Sequence, residues 1–476
     1  MCLSLIFFYP DHSLVFNIKK IFFALFCLFA TAGGYAQNRQ PTINSADKLL
    51  VAGPMLGYAE HREVAVWAEV SKQADKVVLR YWKHGEPGNA QLQVCDPHNL
   101  KHDFNPIKFI VGGLDMATTY DYELLINGQK QNLNYPTSFK TKDLWEWRKP
   151  APDFSFLLGS CAYVNDTAYD RPGKPYGQSM DIFEQMNQQP SDFMLWLGDN
   201  LYLREADYNS PYGIRYRYSH TRSQAQLQDF LASRPHFAIW DDHDFGPNDA
   251  NCSYIYKDTT LKAFADYWPN PTFGQADNKG IYTKFSWADA DFFLLDNRYH
   301  RTAEYLSVNE NNQTAYLGEK QLTWLKNALK ASRATFKFIV SGSQALNPNN
   351  TYECWRHYDR EWNELINFLT DENISGVIFL SGDRHFTEIT AYKPDKAKYT
   401  FYDITVSPLT SGAANLSNSN EKDNPYRIKD KLLAEQNFAK IAISGEQKQR
   451  TLTISTYNAK GKKQWEWELK AADIKP

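Results

Sequence analysis

The sequence predicts a layered α/β domain preceded by a small all-β sandwich. Three observations carry that prediction. Short β-branched and aromatic runs, separated by turn residues, fill 48–142. From Phe154 onward, continuous apolar runs alternate with segments of helical period. The composition, 43% hydrophobic and 22% charged over 476 residues, supports a packed core and excludes a disordered, collagen-like or coiled-coil chain.

The elements follow in chain order. Lys19 and Lys20 precede an apolar run of about a dozen residues, and Gly34-Tyr35-Ala36 has the small-x-small form of a cleavage site. Residues 1–36 therefore read as a secretory signal peptide. The run is shorter than the roughly 20 residues that cross a bilayer as a helix. The mature protein is expected to be exported, periplasmic or secreted, with no transmembrane segment. A net charge of −3 gives no global pull toward nucleic acid, and no nucleic-acid role is expected.

Segments 64–68, 77–82 and 120–124 read as strands. Gly85-Glu86-Pro87-Gly88 and Asn127-Gly128 turn the chain between them. A sandwich is expected over 45–145, joined by a charged, proline-containing connector from Trp145 to Pro152 to a second domain over 150–472. Buried strands are expected at 154–158, 193–197, 237–240, 292–295, 336–340 and 377–380. Leu322, Leu325 and Leu329 share one helix face, as do Trp362, Leu365, Ile366 and Leu369. Alternation at Ile441 and Ile443, Leu452 and Ile454, and Trp465 and Trp467 predicts closing strands over 438–470. The polar stretch 410–436 reads as a surface loop.

In such sheets ligands collect beyond the carboxyl ends of the strands. Those ends carry Cys161, Asp199 with Tyr202, Asp241-Asp242-His243-Asp244, and Asp383 with His385. Each set alone is weak, because Gly-Asp after a strand is a common turn and a lone histidine is usually structural. Converging from successive strands, thiol, phenol, imidazole and carboxylate form a metal-ligand set. Gly198 permits a sharp turn that leaves Asp199 at the rim. Asp383 and His385 would share one side if the strand continued extended. Asp199 would then bridge two cations, which clamp the attacking and leaving oxygens of a phosphoryl transfer.

These residues resemble a known family. Gly159-Ser160-Cys161, Gly198-Asp199-x-x-Tyr202, Trp240-Asp241-Asp242-His243-Asp244, Leu295-Asp296-x-Arg298 and Ser381-Gly382-Asp383-x-His385 are similar, in order, to the motif series of PhoD-like alkaline phosphatases. That family lies in the calcineurin-like metallophosphoesterase superfamily, related to purple acid phosphatases. The resemblance implies a metallophosphoesterase-type α/β catalytic domain behind an immunoglobulin- or fibronectin-like sandwich. It implies Fe3+ held by Cys161, Asp199, Tyr202 and His385, and Ca2+ held by Asp242 and Asp383 with Asp199 bridging. His243 would contact the phosphate or protonate the leaving group, Asp244 would orient it, and Arg298 would hold the phosphate.

The reading that follows is an exported metal-dependent phosphoesterase. A metal-activated hydroxide attacks a phosphate-ester substrate at neutral to alkaline pH. The nearer alternative is a phosphodiesterase or phospholipase at the same site; the distant one is a catalytically dead secreted binding protein. Bland readings stand beside the functional ones. Cys161 pairs with Cys252 or Cys354 as a disulfide, Tyr202 is packing, and Arg298 pairs with a buried acid. Trp355, Arg356, His357 and the Tyr/Arg run 212–218 read as packed or solvated surface rather than substrate entrance.

Overall fold

The computed structural model describes residues 48–304, 314–350, 352–447 and 449–476. The segment 1–36, read above as a signal peptide, lies outside the described residues. None of the described helices is long and apolar enough to cross a membrane.

The chain begins with eight strands: β1 (Leu50–Ala59), β2 (Glu63–Val70), β3 (Val77–Lys83), β4 (Gln91–Val94), β5 (Asn105–Gly112), β6 (Thr119–Ile126), β7 (Gln129–Lys130) and β8 (Ser138–Lys140). β1, β2 and β5 form one antiparallel sheet; β4, β3, β6 and β7 form a second, with β8 paired to β6. Buried and exposed residues alternate along β3 and β5, the two-residue period of a strand with one wet face. Val64, Val66 and Phe109 of the first sheet meet Leu79, Tyr122 and Leu124 of the second in one apolar cluster.

β1 and β2 are buried on both faces, because their outer side is covered too. Met55 and Trp67 join the larger core that follows. The Trp67 indole donates to the Asp266 carbonyl at 2.9 Å, and Lys108 Nζ donates to the Trp268 carbonyl at 2.9 Å.

Glu69 is buried at this seam, where the Tyr267 hydroxyl donates to it at 2.9 Å. Burial pushes its carboxyl up to about 7, against the hydrogen bonds from Ser219 and Tyr267 and the Arg222 charge. A carboxyl with its pKa raised by folding holds its proton more tightly in the folded state. Glu69 therefore lowers stability as pH climbs from its ordinary 4.5 to about 7, with no further change above that. Glu69→Gln should remove this slope. The stability difference between variant and wild type is expected to shift in the variant's favour by about 3 kcal/mol between pH 4 and pH 8. Urea midpoints at the two pH values check it; parallel shifts would contradict it.

The remainder is built from β9 (Phe154–Gly159), α1 (Ile182–Asn187), β10 (Phe193–Leu197), α2 (Pro211–Arg222), α3 (Ala225–Ser233), β11 (His236–Ile239), α4 (Asp242–Phe245) and α5 (Lys257–Tyr267). Then come β12 (Thr283–Trp287), β13 (Ala290–Leu294), α6 (Glu319–Ala331), β14 (Phe336–Val340), α7 (Asp359–Asp371), β15 (Val377–Ser381), β16 (Thr387–Tyr392) and β17 (Phe401–Thr405). β18 (Arg427–Leu433), β19 (Asn437–Ser444), β20 (Thr451–Asn458) and β21 (Lys463–Lys470) close the chain.

Two sheets result, ordered β11-β10-β9-β19-β20-β21 and β12-β13-β14-β15-β17-β16-β18. β9, β10 and β11 are parallel, as are β13, β14, β15 and β17. The central strands β10, β13, β14 and β15 are buried throughout, which is why they read as unbroken apolar runs. Aromatic rings lock the sheets together. Phe156 meets Phe292 edge-on at 5.2 Å and Phe338 at 5.6 Å, and Phe193 meets Phe285 at 5.6 Å.

Helices cover the layers through the faces expected. α6 buries Leu322, Leu325 and Leu329; α7 buries Trp362, Leu365, Ile366 and Leu369. Ser210 caps α2 by accepting from Gly213 N, with Pro211 in its first turn. The stretch 410–436 departs from a surface loop. β18 pairs with β16, Arg427 donates to buried Glu388 at 2.6 Å, and Glu421 is buried against Arg384. Its polar residues find polar partners inside, which composition alone does not reveal.

Candidate metal centre

β9, β10, β11 and β15 end at the same edge, and the candidate residues leave from those ends. Gly198, directly after β10, has φ +94°, and a Cβ there would sit 2.9 Å from Asp241 Cβ. Only glycine fits the approach. Cys161 and Asp199 follow their strands with φ of 62° and 51°. Such left-handed backbone at non-glycine residues is strained and clusters at functional sites.

The groups converge. Asp199 Oδ2 lies 3.5 Å from Cys161 Sγ and 3.3 Å from the Tyr202 hydroxyl, while Oδ1 accepts from His243 N at 3.3 Å. The Tyr202 hydroxyl is 3.2 Å from His385 Nε2. Candidate ligand atoms of Cys161, Asp199 and His385 lie within 4.8 Å of one another, as do those of Asp199, Asp242 and His243. Asp199 is common to both groups. The described cysteines are free, so Cys161 is not in a disulfide with Cys252 or Cys354.

Asp383 lines the same cleft but falls outside those close groups; its carboxylate accepts from Arg384 at 3.2 Å. The strand does not continue extended past β15: Asp383 and His385 have φ of 66° and 56°. Both line the cleft by way of this left-handed backbone, not of strand alternation.

The motif around His243 is held by its own backbone. Asp241 caps α4, and Asp244 returns the capping box by accepting from Asp241 N at 2.6 Å. Asp244 also accepts from Asn200 Nδ2 at 2.7 Å, so its carboxylate steadies the turn and makes no bond to the His243 ring. That ring lies 4.1 Å from the Tyr202 ring and faces the cleft.

Arg298 is turned away from the role of phosphate clamp. It is fully buried; Nε donates to Asp241 at 2.6 Å and Nη1 to Glu353 at 3.0 Å. A fork filled by two carboxylates has no free donor face for a phosphate. Trp355 is buried in the core, Arg356 stacks on Trp362, and Tyr212 packs on Phe104 at a different cleft.

In the cluster, Asp241 and Asp383 have arginine partners, whereas Asp199 is buried among acids. Burial, then the charges of Asp242, Asp241, Asp244 and Asp383, push the Asp199 carboxyl well above the usual range. Burial and the Asp199 charge push the Cys161 thiol up, and burial with Cys161 does the same to the Tyr202 phenol. Asp242 is held low although burial opposes it, because His243, Arg298 and Asp249 N face it. Burial lowers the His385 imidazole to about 4, keeping it in the neutral form that ligates metals. A multivalent cation is the charge that would ionise this set, and thiolate, phenolate, imidazole and carboxylate are the donors it would take. The residues fit a metal centre.

Several residues at the site carry no signal in the sequence. Ser407 donates to Cys161 Sγ at 3.1 Å. The Tyr176 hydroxyl lies 3.1 Å from His385 Nδ1, the second-partner position that orients a metal-ligating histidine. Asp249 and Glu353 gather with Asp242 within 4.8 Å. All stand on loops without periodicity or motif, so nothing in the sequence places them here.

Two face-to-face sheets flanked by helices, with a buried donor cluster at the strand ends, define an α/β protein of metal-centred type. A family model described as PhoD-like phosphatase matches residues 156–453, and the chain belongs to that family. Alkaline phosphatase D of Bacillus subtilis (strain 168) is 23% identical over 284 residues, 52% of this chain and 48% of the relative. The chain thus matches about half the length of that curated relative. Among solved structures, one titled "Structure of PhoD" shares the fold at a TM-score of 0.70 and 18% identity, over 88% of this chain and 92% of the other. A purple acid phosphatase from yellow lupin (Lupinus luteus) seeds does so at 0.62 and 11% identity, over 88% and 74%.

Proposed function

We propose that this chain is an exported, metal-dependent phosphoesterase similar to alkaline phosphatase D. The reading is carried by one observation: two donor groups share Asp199, which with Asp242, His243 and His385 lines an open cleft of about 700 Å³. In this reading Cys161, Asp199, Tyr202 and His385 hold Fe3+, and Asp199, Asp242 and Asp383 hold Ca2+, a cation suited to oxygen donors. When bound, the cations supply Lewis acidity, lowering the pKa of water and offsetting phosphate charge.

The chain's own residues do the rest. His243 faces the cleft from a fixed turn and gives a proton to the leaving oxygen or a hydrogen bond to the phosphate. Asp244 keeps that turn in place. Arg298 acts through Asp241 and Glu353. Residues 1–36 direct export, 45–145 form an immunoglobulin- or fibronectin-like sandwich, and 150–472 form the catalytic domain.

Elemental analysis with an ester panel tests this. Native protein is expected to carry iron and calcium, to show a visible phenolate-to-iron band from Tyr202, and to hydrolyse esters at neutral to alkaline pH. A chelator should remove colour and turnover together. A colourless, iron-free, fully active preparation overturns the iron assignment; metal-loaded protein inert on all mono- and diesters overturns the phosphoesterase.

A further inference from the structure

One wall of the cleft is built differently from the donor cluster. Arg384 is pinned on several sides: Glu421, itself buried, takes two of its N–H groups at 2.7 and 2.9 Å, and Asp383 takes a third at 3.2 Å. The ring of Tyr352 lies over this guanidinium, 4.3 Å from centroid to Cζ. Yet Tyr352 is 56% exposed and lines the cleft. An exposed tyrosine is ordinarily free to move; this one is held from below by a fixed cation and presents an aromatic surface to the cleft. Its ordering entropy is spent before any ligand arrives, which favours binding.

The surrounding wall is polar: Asn248, Asn251, Thr302, Asn415 and Ser419 are uncharged, and Asp249, Arg301, Glu304 and Glu353 stand among them as charged groups. Apart from the rings of Tyr352 and Tyr176, its apolar members are few and mostly small: Ala303, Ala414 and Leu416. An acyl chain would find little surface to bury against, whereas a flat ring with hydroxyl and amine groups would find a platform and partners. The cleft, about 700 Å³, is within the roughly 300–1,000 Å³ of sites that take ligands far larger than phosphate.

We infer that Tyr352, seated on Arg384, is a leaving-group subsite that stacks the base of a nucleotide, making nucleoside monophosphates the preferred ester class. The inference rests on the phosphoesterase reading above. Aromatic platforms serve any base, because every base has a π-face.

The test compares kcat/KM for adenosine 5′-monophosphate, glycerol phosphate and dispersed phosphatidic acid, using metal-loaded wild type, Tyr352→Ala and Tyr352→Phe. Wild type should favour the nucleotide. Tyr352→Ala should lower the nucleotide-to-glycerol-phosphate ratio on the order of tenfold or more, mainly through KM. Tyr352→Phe, which keeps the ring, should retain the ratio. An unchanged ratio in Tyr352→Ala, or a wild type faster on phosphatidic acid than on the nucleotide, overturns the subsite alone. No turnover of any ester overturns the phosphoesterase reading, and the subsite with it.

Discussion

Asp199→Asn is expected to cost at least ~10³ in turnover of every phosphate ester, together with loss of bound metal. Asp199 is the group shared by the two donor sets, and both its oxygens already face partners: Cys161 and Tyr202 on one side, His243 N on the other. Asparagine keeps the shape but removes the charge that would bridge two cations. Metal ions supply several kcal/mol of charge stabilisation in such reactions. At about 1.4 kcal/mol per factor of ten, that is ~10³ or more. The fold should survive, because the variant removes a buried acid that burial and four neighbouring aspartates already disfavour. Elemental analysis and circular dichroism read the two effects separately. A folded variant with full metal content and full activity would remove Asp199 from the centre of the mechanism.

His243→Ala should lower kcat by roughly 10²–10⁴, the span of general acid–base catalysis. The leaving group decides between its two roles. A proton donor matters most where the departing alkoxide is basic, so the loss should be far larger for an alkyl phosphate than for p-nitrophenyl phosphate. A group that only binds phosphate would cost both substrates alike. The geometry favours an unobstructed imidazole: the ring faces the cleft beside Tyr202, and its nearest carboxylate contact is Asp242 at 3.9 Å. Equal losses on the two esters would reassign His243 to phosphate binding.

Much of the fold and of the centre is legible in the amino-acid sequence. The apolar runs at β9, β10, β11, β13, β14 and β15 announce central strands, because a strand covered on both faces has no wet side to encode. The residues directly after those strands announce the centre, because turn chemistry and ligand chemistry coincide there. Asp249, Glu353 and Tyr176 leave no such trace. They reach the cleft from loops whose paths depend on long-range packing, and a loop residue carries no period. Arg298 shows the opposite failure: its motif is visible, but which acids fill its fork is not. That Asp241 and Glu353 fill it is a fact of distance, 2.6 and 3.0 Å, between residues more than fifty positions apart.

Local pattern determined the central strands, the faces of α6 and α7, and which side chains stand at the strand ends, since burial periodicity and glycine-dependent turns are written over a few residues. Tertiary structure decided everything that depends on distance across the chain. It divided the strands between two facing sheets and laid the first sheet of the sandwich on the larger core. It turned Asp383 and His385 inward through left-handed backbone and seated Tyr352 on Arg384. The physical reason is that electrostatics and close packing act through space, between groups whose separation along the chain says nothing about their separation in the fold.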